Sequence, residues 1–227
     1  MEPTKNKAVV VLSGGMDSAT ALYQAIKDGF EIYAISFDYG QKHRKELDFA
    51  KKLTEKVGAK EHHVVDLTNI TSLISNSSLT SDQEVPEGHY AQENMKSTVV
   101  PNRNMIMSSI AAGYAVNIGA KAIYLGVHSG DHFIYPDCRP QFIRALELAI
   151  YLGNEGFCNK ELQVITPFMY LTKAQLAMRG AQLGVPYELT WSCYKGQDKH
   201  CGKCGTCVER KEAFELANIK DPTQYEQ

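Results

Sequence analysis

Two short apolar runs near the start of the chain flank a segment with helical spacing. AVVVL at 8–12 and EIYAISF at 31–37 have the length and composition of strands covered on both faces, and apolar residues recur at helical spacing over 18–28. A strand, a helix and a second buried strand in this order predict a parallel crossover. Such a crossover requires a sheet with helices packed against it.

The same alternation continues along the chain. The sequence predicts helices over 43–57, 102–118, 140–152 and 172–183, the last with Thr172 as its N-cap, and strands over 62–67, 121–127 and 162–166. We therefore expect the α/β class, with a doubly wound, mostly parallel sheet. A length of 227 residues suits one such domain with a small appendage.

One long segment interrupts this alternation. Residues 71–97 are polar and show no hydrophobic period. Long loops inside compact domains are often lids or binding loops. We expect a mobile loop here, and a plain surface insertion is the alternative.

The turn after the first strand predicts an anion site. In LSGGMDS, Gly14 and Gly15 leave backbone N–H groups free beside a helix N-terminus, which carries a partial positive charge. Ser13 and Ser18 add hydroxyl donors, and neither GxxxxGK[ST] nor GxGxxG is present. Asp17 would repel phosphate unless Mg²⁺ bridged the two groups, so the turn indicates metal-assisted nucleotide chemistry.

The C-terminal part of the chain carries a cysteine cluster. Cys201, Cys204 and Cys207 form CxxCxxC, and Cys193 lies eight residues upstream. Four thiolates suit a closed, tetrahedral, structural Zn²⁺ site with one ion per chain. An iron–sulfur cluster is the alternative, and zinc is favoured because the rest of the chain shows no redox chemistry.

Charge and hydropathy narrow the partners and the compartment. The formal net charge is −2, whereas proteins that hold nucleic-acid backbone carry a basic excess, so no direct nucleic-acid binding is expected. The start, MEPTKNKAVVVLSGG, lacks the apolar run of a signal peptide, and no run approaches the roughly 20 residues of a membrane span. The expected location is the cytoplasm, without a membrane partner.

SGGMDS at the first strand–helix junction resembles the ATP-binding loop of the PP-loop ATP pyrophosphatases, also called adenine nucleotide alpha hydrolase-like proteins. The resemblance implies adenylation of a carbonyl or carboxylate oxygen, followed by displacement with a nitrogen or sulfur nucleophile. It implies a PP-loop ATP-binding domain over 1–189 and a zinc-binding segment over 190–227 packed on that domain. The implied nucleotide-binding residues are Leu12, Ser13, Gly14, Gly15, Met16, Asp17, Ser18, Ala19, Phe37 and Asp38.

Further segments make the resemblance more specific. They are FDYGQKH, VPNRN, GVHSGDHFIYPDCRPQF, TPFMYLTKAQL and TWSCYKG, together with SGGMDSAT and CGKCGTCVERKEAF. Over about residues 8 to 215 the chain resembles the 7-cyano-7-deazaguanine synthase family of queuosine biosynthesis. The resemblance implies that ATP, with Mg²⁺, activates 7-carboxy-7-deazaguanine, that ammonia gives an amide, and that a second activation gives the nitrile. It also implies a homodimer, with the cysteine segment or the 102–118 helix as its interface.

Site residues follow from the same resemblance. Asp17, Ser18, Arg103 and Lys173 form the implied catalytic set, although Lys173 also fits a solvated helix lysine and Arg103 a structural salt bridge. Implied substrate-binding residues are Gln41, His43, Arg103, Asp131, Tyr135, Asp137 and Arg139. Family members often carry TDYSGYPDCR where this chain has SGDHFIYPDCR, so Asp131 is placed as the counterpart of their acid. His43 also fits a surface position at a helix start.

Other functions remain open at this stage. A ligase of the GMP- or NAD-synthetase kind would form an amide by similar chemistry, with ammonia from a separate partner. A tRNA thiolase is a second alternative, but it would need a basic RNA-binding appendage and a redox cysteine pair, and neither is evident in the sequence. A paralogue could pass the same activated acid to a different amine, including one on a protein. A zinc-knuckle binding module is the non-enzymatic alternative, and SGGMDS argues against it.

Overall fold

The computed structural model describes residues 5–90, 92–195 and 198–226. Its sheet has five parallel strands in the order β3-β2-β1-β4-β5. They are β1 (Lys7–Val11), β2 (Glu31–Asp38), β3 (Glu61–Asp66), β4 (Ala122–Tyr124) and β5 (Gln163–Ile165). The predicted α/β class with a doubly wound parallel sheet is confirmed. The chain reverses its direction across the sheet between β1 and β4, the position where open α/β sheets bind ligands.

In the described part of the chain, six α-helices cover the two faces of the sheet. They are α1 (Met16–Lys27), α2 (Lys45–Val57), α3 (Arg103–Ile118), α4 (Pro140–Gly153), α5 (Lys173–Leu183) and α6 (Gly205–Leu216). Neighbouring strand residues point to opposite faces: Val9 and Ile35 pack in the core under α3 and α4, whereas Val10 and Ala34 pack under α1 and α5. Two apolar cores therefore hold the sheet.

The boundaries differ from the sequence prediction at positions that matter for the site. α1 begins at Met16 instead of residue 18, because Gly15 already has extended backbone and serves as its N-cap. Asp17 therefore lies in the first helical turn. β4 ends at Tyr124, so 125–127 leave the sheet where the prediction extended the strand. The predicted Thr172 cap of α5 is confirmed by a reciprocal capping box with Gln175.

The segment 71–97, apart from Ala91, which lies outside the described residues, packs on the rest of the chain. Its two ends overlap short 3₁₀ helices, Thr68–Leu73 and Glu93–Thr98. Leu79 is fully buried, and the Gly88 N–H donates to the Lys203 carbonyl at 3.0 Å. The segment thus contacts both the α/β core and the cysteine region. Its predicted mobility stays a prediction.

Candidate active site

The carboxyl ends of β1, β2 and β4 surround a cavity of about 230 Å³. The cavity is lined by several of the residues that the sequence analysis predicted to bind nucleotide or substrate, namely Leu12, Ser13, Asp17, Ser18, Phe37, His43, Arg103, Asp131 and Tyr135. Others were not predicted, among them Tyr39, Glu46, Asn104, Cys138 and Tyr194. Because the cavity lies where the strand order reverses, the fold itself places these side chains together.

Local hydrogen bonds shape the SGGMDS turn. The Ser18 hydroxyl donates to the Gly15 carbonyl at 3.1 Å and accepts from the Ser13 N–H at 3.2 Å. The Ser13 and Ser18 hydroxyls lie 3.0 Å apart. No side chain in the described part of the chain caps α1 at Gly15, so its first-turn N–H groups remain available to an anion.

Two glycines permit the close packing behind this turn. Gly14 has φ +86°, and a Cβ there would lie 2.0 Å from the Glu46 carbonyl oxygen. A Cβ on Gly126 would lie 2.8 Å from the Ser18 backbone nitrogen. α2 and the chain after β4 therefore press directly on the turn, and only glycine allows this approach.

Lys173 lies in a ring of polar side chains beside the turn. Its Nζ is 2.7 Å from Asp17 Oδ2 and 3.1 Å from Glu209 Oε2. Burial opposes the charge on Lys173, but the neighbouring carboxylates outweigh burial and raise the pKa of the ammonium. Lys173 is thus a fixed, charged group at the N-terminus of α5, and it is not a solvated surface lysine.

Asp131 lines the cavity, and His128 packs between Asp131 and Lys173. His128 is fully buried, and its Nδ1 accepts from the Gly130 N–H at 3.0 Å, which assigns the proton to Nε2, 3.4 Å from Asp131 Oδ1. Burial lowers the pKa of His128, and Lys173 lowers it further, so the ring is neutral. Burial raises the pKa of Asp131 to about 6, and burial also raises the pKa of Glu209.

His128 and Glu209 were missed by the sequence analysis. His128 directly follows the predicted fourth strand, and its position at the carboxyl edge of the sheet was a usable signal. Glu209 lies two residues after Cys207 on α6, a helix that the sequence analysis did not predict. No local pattern marks Glu209, because its partners, Lys173 and His128, come from α5 and from the chain after β4.

The opposite end of the cavity is aromatic. Arg103 Nη1 donates to the Tyr39 hydroxyl at 3.4 Å, and its guanidinium lies 6.0 Å from the centre of the Tyr135 ring. The His43 ring packs against Tyr194, with centroids 5.1 Å apart. Arg103 therefore lines the cavity and forms no ion pair in the described part of the chain.

Nine residues predicted for nucleotide binding, substrate binding or catalysis do not line this cavity. Five of them lie in the SGGMDS turn and the helices beside it, namely Gly14, Gly15, Met16, Ala19 and Lys173, and the other four are Asp38, Gln41, Asp137 and Arg139. The Gln41 amide is occupied by the Tyr39 N–H, the Phe37 carbonyl and Glu46. Asp38 accepts from the Gly40 N–H and pairs with Arg44. Asp137 accepts from the Asn104 N–H at the start of α3, and exposed Arg139 donates to the His132 carbonyl. These four side chains support the walls of the cavity.

The four predicted metal-ligating cysteines come together. The Sγ atoms of Cys193, Cys201, Cys204 and Cys207 all lie within 4.8 Å of one another, and all four residues are buried. Tetrahedral Zn²⁺ with Zn–S bonds of about 2.3 Å needs sulfurs about 3.8 Å apart. The Cys201 and Cys207 sulfurs are 4.0 Å apart, so the cluster has the size of a four-thiolate metal site.

Asp17 also fits a cation. Oδ2 is taken by Lys173, whereas Oδ1 is buried and has no hydrogen-bond partner in the described part of the chain. A buried carboxylate oxygen without a donor is costly. A carboxylate oxygen beside a phosphate-sized turn is a suitable ligand for Mg²⁺.

The first strand of the parallel sheet runs into SGGMDS, and Lys173 pairs with Asp17 in the first turn of the helix that follows. Together with the family match, these features define a synthase or ligase of the PP-loop superfamily. A family model described as queuosine biosynthesis protein QueC matches residues 7–218. The chain belongs to the QueC family.

Curated relatives cover nearly the whole chain. The 7-cyano-7-deazaguanine synthase of Pseudoalteromonas atlantica is 50% identical over 220 residues, covering 97% of this chain and 99% of the relative. The enzyme of the same name from Hahella chejuensis is 51% identical over 221 residues, covering 97% and 94%. Among solved structures, NMN synthetase from Francisella tularensis aligns with a TM-score of 0.49 at 16% identity, covering 95% of this chain and 79% of that one. In the described residues, no helix has both the length and the apolar character needed to cross a membrane.

Proposed function

We propose that the chain converts 7-carboxy-7-deazaguanine and ammonia to 7-cyano-7-deazaguanine in two ATP-dependent activations, through an acyl adenylate and an amide. The observation that carries the proposal is the single cavity that joins the SGGMDS turn to Arg103 and Asp131. Relatives near 50% identity that bear the name of this synthase support the same substrate. The proposed reaction belongs to queuosine biosynthesis, the process of the matching family.

ATP is proposed to lie with its phosphates on the turn and its adenosine toward Phe37. The cradle consists of Leu12, Ser13, Gly14, Gly15, Met16, Asp17, Ser18 and Ala19. Asp17 Oδ1 would hold Mg²⁺, which would neutralise phosphate charge there. Asp38 supports the end of β2 through its bonds to Gly40 and Arg44 and is proposed to fix this part of the nucleotide site.

Activation overcomes the poor reactivity of the substrate acid. A carboxylate conjugated to an electron-rich pyrrole is a weak electrophile, and its oxygen must become a leaving group. Arg103 is proposed to bind the substrate carboxylate and direct one oxygen at the α-phosphorus. Pyrophosphate then leaves, and Lys173, with Ser18 and the first-turn N–H groups, stabilises the charge that develops.

Asp131 is proposed to receive the protons of the nitrogen chemistry. Ammonia attacks the acyl adenylate, loses a proton, and releases AMP to leave the amide. A second ATP adenylates the amide oxygen, and loss of AMP with the remaining N–H protons gives the nitrile. The Asp131 carboxyl lines the cavity, and its pKa of about 6 suits a base that works near neutral pH.

The remaining predicted residues are proposed to shape the substrate end. His43 and Tyr135 line the cavity, whereas Gln41, Asp137 and Arg139 hold the segments that carry the lining residues. Asp137 accepts from the N–H next to Arg103 in sequence, which fixes the start of α3. His43 and Tyr135 are thus proposed to contact the substrate, whereas the other three residues position the cavity walls.

The domain organisation is also proposed. Residues 1–189 would form the ATP-binding domain and 190–227 a segment held by one structural Zn²⁺ ion, with Gly196, Gln197 and Gln227 outside the described residues. Arg210 is fully buried and bonds to Asp221, Thr190 and the Tyr187 carbonyl, which ties α6 to the domain. We further propose a cytoplasmic homodimer without direct nucleic-acid binding, in keeping with a net charge of −2.

A mass-spectrometric assay tests the reaction. The purified full chain is incubated with 7-carboxy-7-deazaguanine, Mg-ATP and ammonium, and the deazaguanine species and nucleotides are followed in time. We expect the amide to appear transiently, the nitrile to accumulate and AMP to form. Asp17→Asn should abolish turnover, whereas Asp48→Asn, at an exposed position of α2, should not.

Two outcomes would contradict the proposal in different ways. An adenylate that forms and goes no further with ammonium would indicate another amine acceptor. Absence of any ATP-dependent change in the acid would exclude the deazaguanine substrate.

A further inference from the structure

The wall of the cavity formed by the start of α2 is rich in hydrogen-bond acceptors. Glu46 lies in the first turn of α2, is 8% exposed, and lines the same cavity as Ser18 and Arg103. No lysine or arginine in the described part of the chain forms an ion pair with it. A buried carboxylate without a cationic partner requires a reason, because burial of an unpaired charge is costly.

Gln41 fixes the orientation of this carboxylate. The Gln41 Nε2 donates to Glu46 Oε1 at 3.1 Å and to the Phe37 carbonyl, while its Oε1 accepts from the Tyr39 N–H. The amide is therefore locked on three sides, and Glu46 Oε1 is held by a donor that cannot turn away. Glu46 Oε2 lies 3.5 Å from His43 Nε2.

His43 adds an acceptor without a hydrogen-bond partner to the same wall. It is 4% exposed and lines the cavity, and its Nδ1 is buried without a hydrogen-bond partner in the described residues. Nε2 faces Glu46, so the proton of the neutral ring belongs on Nε2 and leaves Nδ1 as an acceptor. Two neighbouring groups thus offer lone pairs and no N–H donor toward the ligand.

We propose that Glu46, held by Gln41 and flanked by His43, is the specificity residue that accepts the adjacent N1–H and 2-amino N–H groups of the deazaguanine base. A guanine-type edge presents these two donors side by side, which is the arrangement that one carboxylate accepts with both oxygens. The proposal rests on the proposed function, because that function supplies a substrate with this edge.

The chemistry of the wall discriminates between the two purine-like ligands of the reaction. Adenine offers one amino group beside the lone pair of N1, and a carboxylate would face that lone pair. A hypoxanthine-type base offers N1–H alone. Of these three rings, only the 2-amino-6-oxo ring donates to both oxygens of the Glu46 carboxylate. We therefore assign this wall to binding of the acid substrate and not of ATP.

Burial also affects the protonation of Glu46. Burial raises the pKa of Glu46 to about 8, although the Gln41 hydrogen bond and Arg103 act in the opposite direction. Two N–H donors from a bound base would replace the lost hydration of the carboxylate. Binding of the base would therefore favour the ionised carboxylate, which accepts both N–H groups, over the protonated form that burial favours.

Binding of two matched acids tests the proposal. The probes are 7-carboxy-7-deazaguanine and 7-carboxy-7-deazahypoxanthine, which lacks the 2-amino group, titrated calorimetrically into the full chain with an ATP analogue that has a non-hydrolysable α,β bridge. We expect Glu46→Gln to weaken binding of the guanine-type acid roughly 10- to 100-fold and to weaken binding of the other acid less, because that acid presents N1–H alone. Gln41 already donates to Oε1, so the new amide would turn its NH₂ toward the donors of the base.

Controls separate this role from folding and from the reaction. Glu55→Gln, at an exposed position of the same helix, should bind both acids as the wild type does, and thermal unfolding confirms that both variants fold. The affinity of Glu46→Gln for the ATP analogue should be unchanged. Equal weakening of both acids, weakening of the ATP analogue instead, or a wild type that binds neither acid would each overturn the inference. A wild type that shows the preference but makes no nitrile would leave the inference standing and remove the proposed reaction.

Discussion

Lys173 Nζ lies 2.7 Å from Asp17 Oδ2, although the two residues are 156 positions apart in the chain. The contact joins the first turn of α5 to the first turn of α1, so two helix N-termini converge beside the cavity. Both helix dipoles then favour negative charge at one place. This convergence explains why a lysine, the carboxylate proposed to hold Mg²⁺ and free backbone N–H groups lie close enough to act together in the proposed reaction.

Lys173→Met should lower kcat about 10²- to 10³-fold, because it removes a fixed charge from the position where pyrophosphate is proposed to leave. Binding of ATP should change less than kcat, since the backbone N–H groups remain. Steady-state kinetics compare the variant with Lys27→Met, at an exposed position on α1. A variant that keeps a third or more of the wild-type kcat would show that Lys173 is only structural.

Glu209→Gln should lower kcat about 10-fold through Lys173, whose Nζ lies 3.1 Å from Glu209 Oε2. Groups that act through one another are not additive. The double variant Lys173→Met/Glu209→Gln should therefore be no slower than Lys173→Met alone. Glu215→Gln, exposed on the same helix, is the control. Additive losses of kcat in the double-mutant cycle would show that Glu209 does not act through Lys173.

Zinc should be present at one ion per chain and should hold the C-terminal segment. Cys204→Ser should lose the ion and lower Tm by roughly 10 °C, because metal binding contributes to the folding free energy. Cys158→Ser, outside the cluster, should retain both. Elemental analysis and thermal unfolding measure the two quantities. Detection of iron and sulfide instead of zinc, in protein purified without air, would show that the four cysteines hold an iron–sulfur cluster.

Gly14→Ala should destabilise the fold by more than about 3 kcal/mol, because the new Cβ meets the Glu46 carbonyl and the residue has φ +86°. Gly58→Ala shares the left-handed backbone but meets nothing within 4 Å, and its cost should be about 1 kcal/mol. Urea unfolding gives both values. Similar costs at the two positions would mean that α2 moves away from the turn without penalty.

Glu46 should make the protein less stable as the pH rises from 6.5 to 8. Its folded pKa, about 8, lies above the unfolded value of 4.5, so the folded state holds a proton that the unfolded state has lost. The resulting stability is complete below pH 4.5 and disappears as the pH passes 8. His43, with its pKa lowered to about 3 by burial, acts only below pH 6.5. Urea unfolding at pH 6.5 and 8.5 should show a smaller decrease for Glu46→Gln than for the wild type; equal decreases would place the titration elsewhere.

Several features of the fold could be predicted because they depend on local pattern. AVVVL and EIYAISF predicted buried strands, and the glycines of SGGMDS predicted a tight turn. The spacing of Cys201, Cys204 and Cys207 predicted that the three thiolates bind one metal ion. Their physical causes act within a few residues, so hydrophobic period and turn chemistry are enough to identify them. The family resemblance extended this prediction to Arg103 and Lys173.

The sequence by itself determined the parallel α/β architecture, the Gly-Gly turn between β1 and α1 and the four-cysteine cluster. Only the tertiary structure decided that Glu209 and His128 surround Lys173, that Gln41 supports Glu46 instead of lining the cavity, and that Glu46 does line it. An isolated glutamate on a helix looks the same in sequence whether it faces solvent or a ligand. Its role comes from burial and from partners that distant segments bring to it, and those exist only once the strands, helices and cysteine segment have packed together.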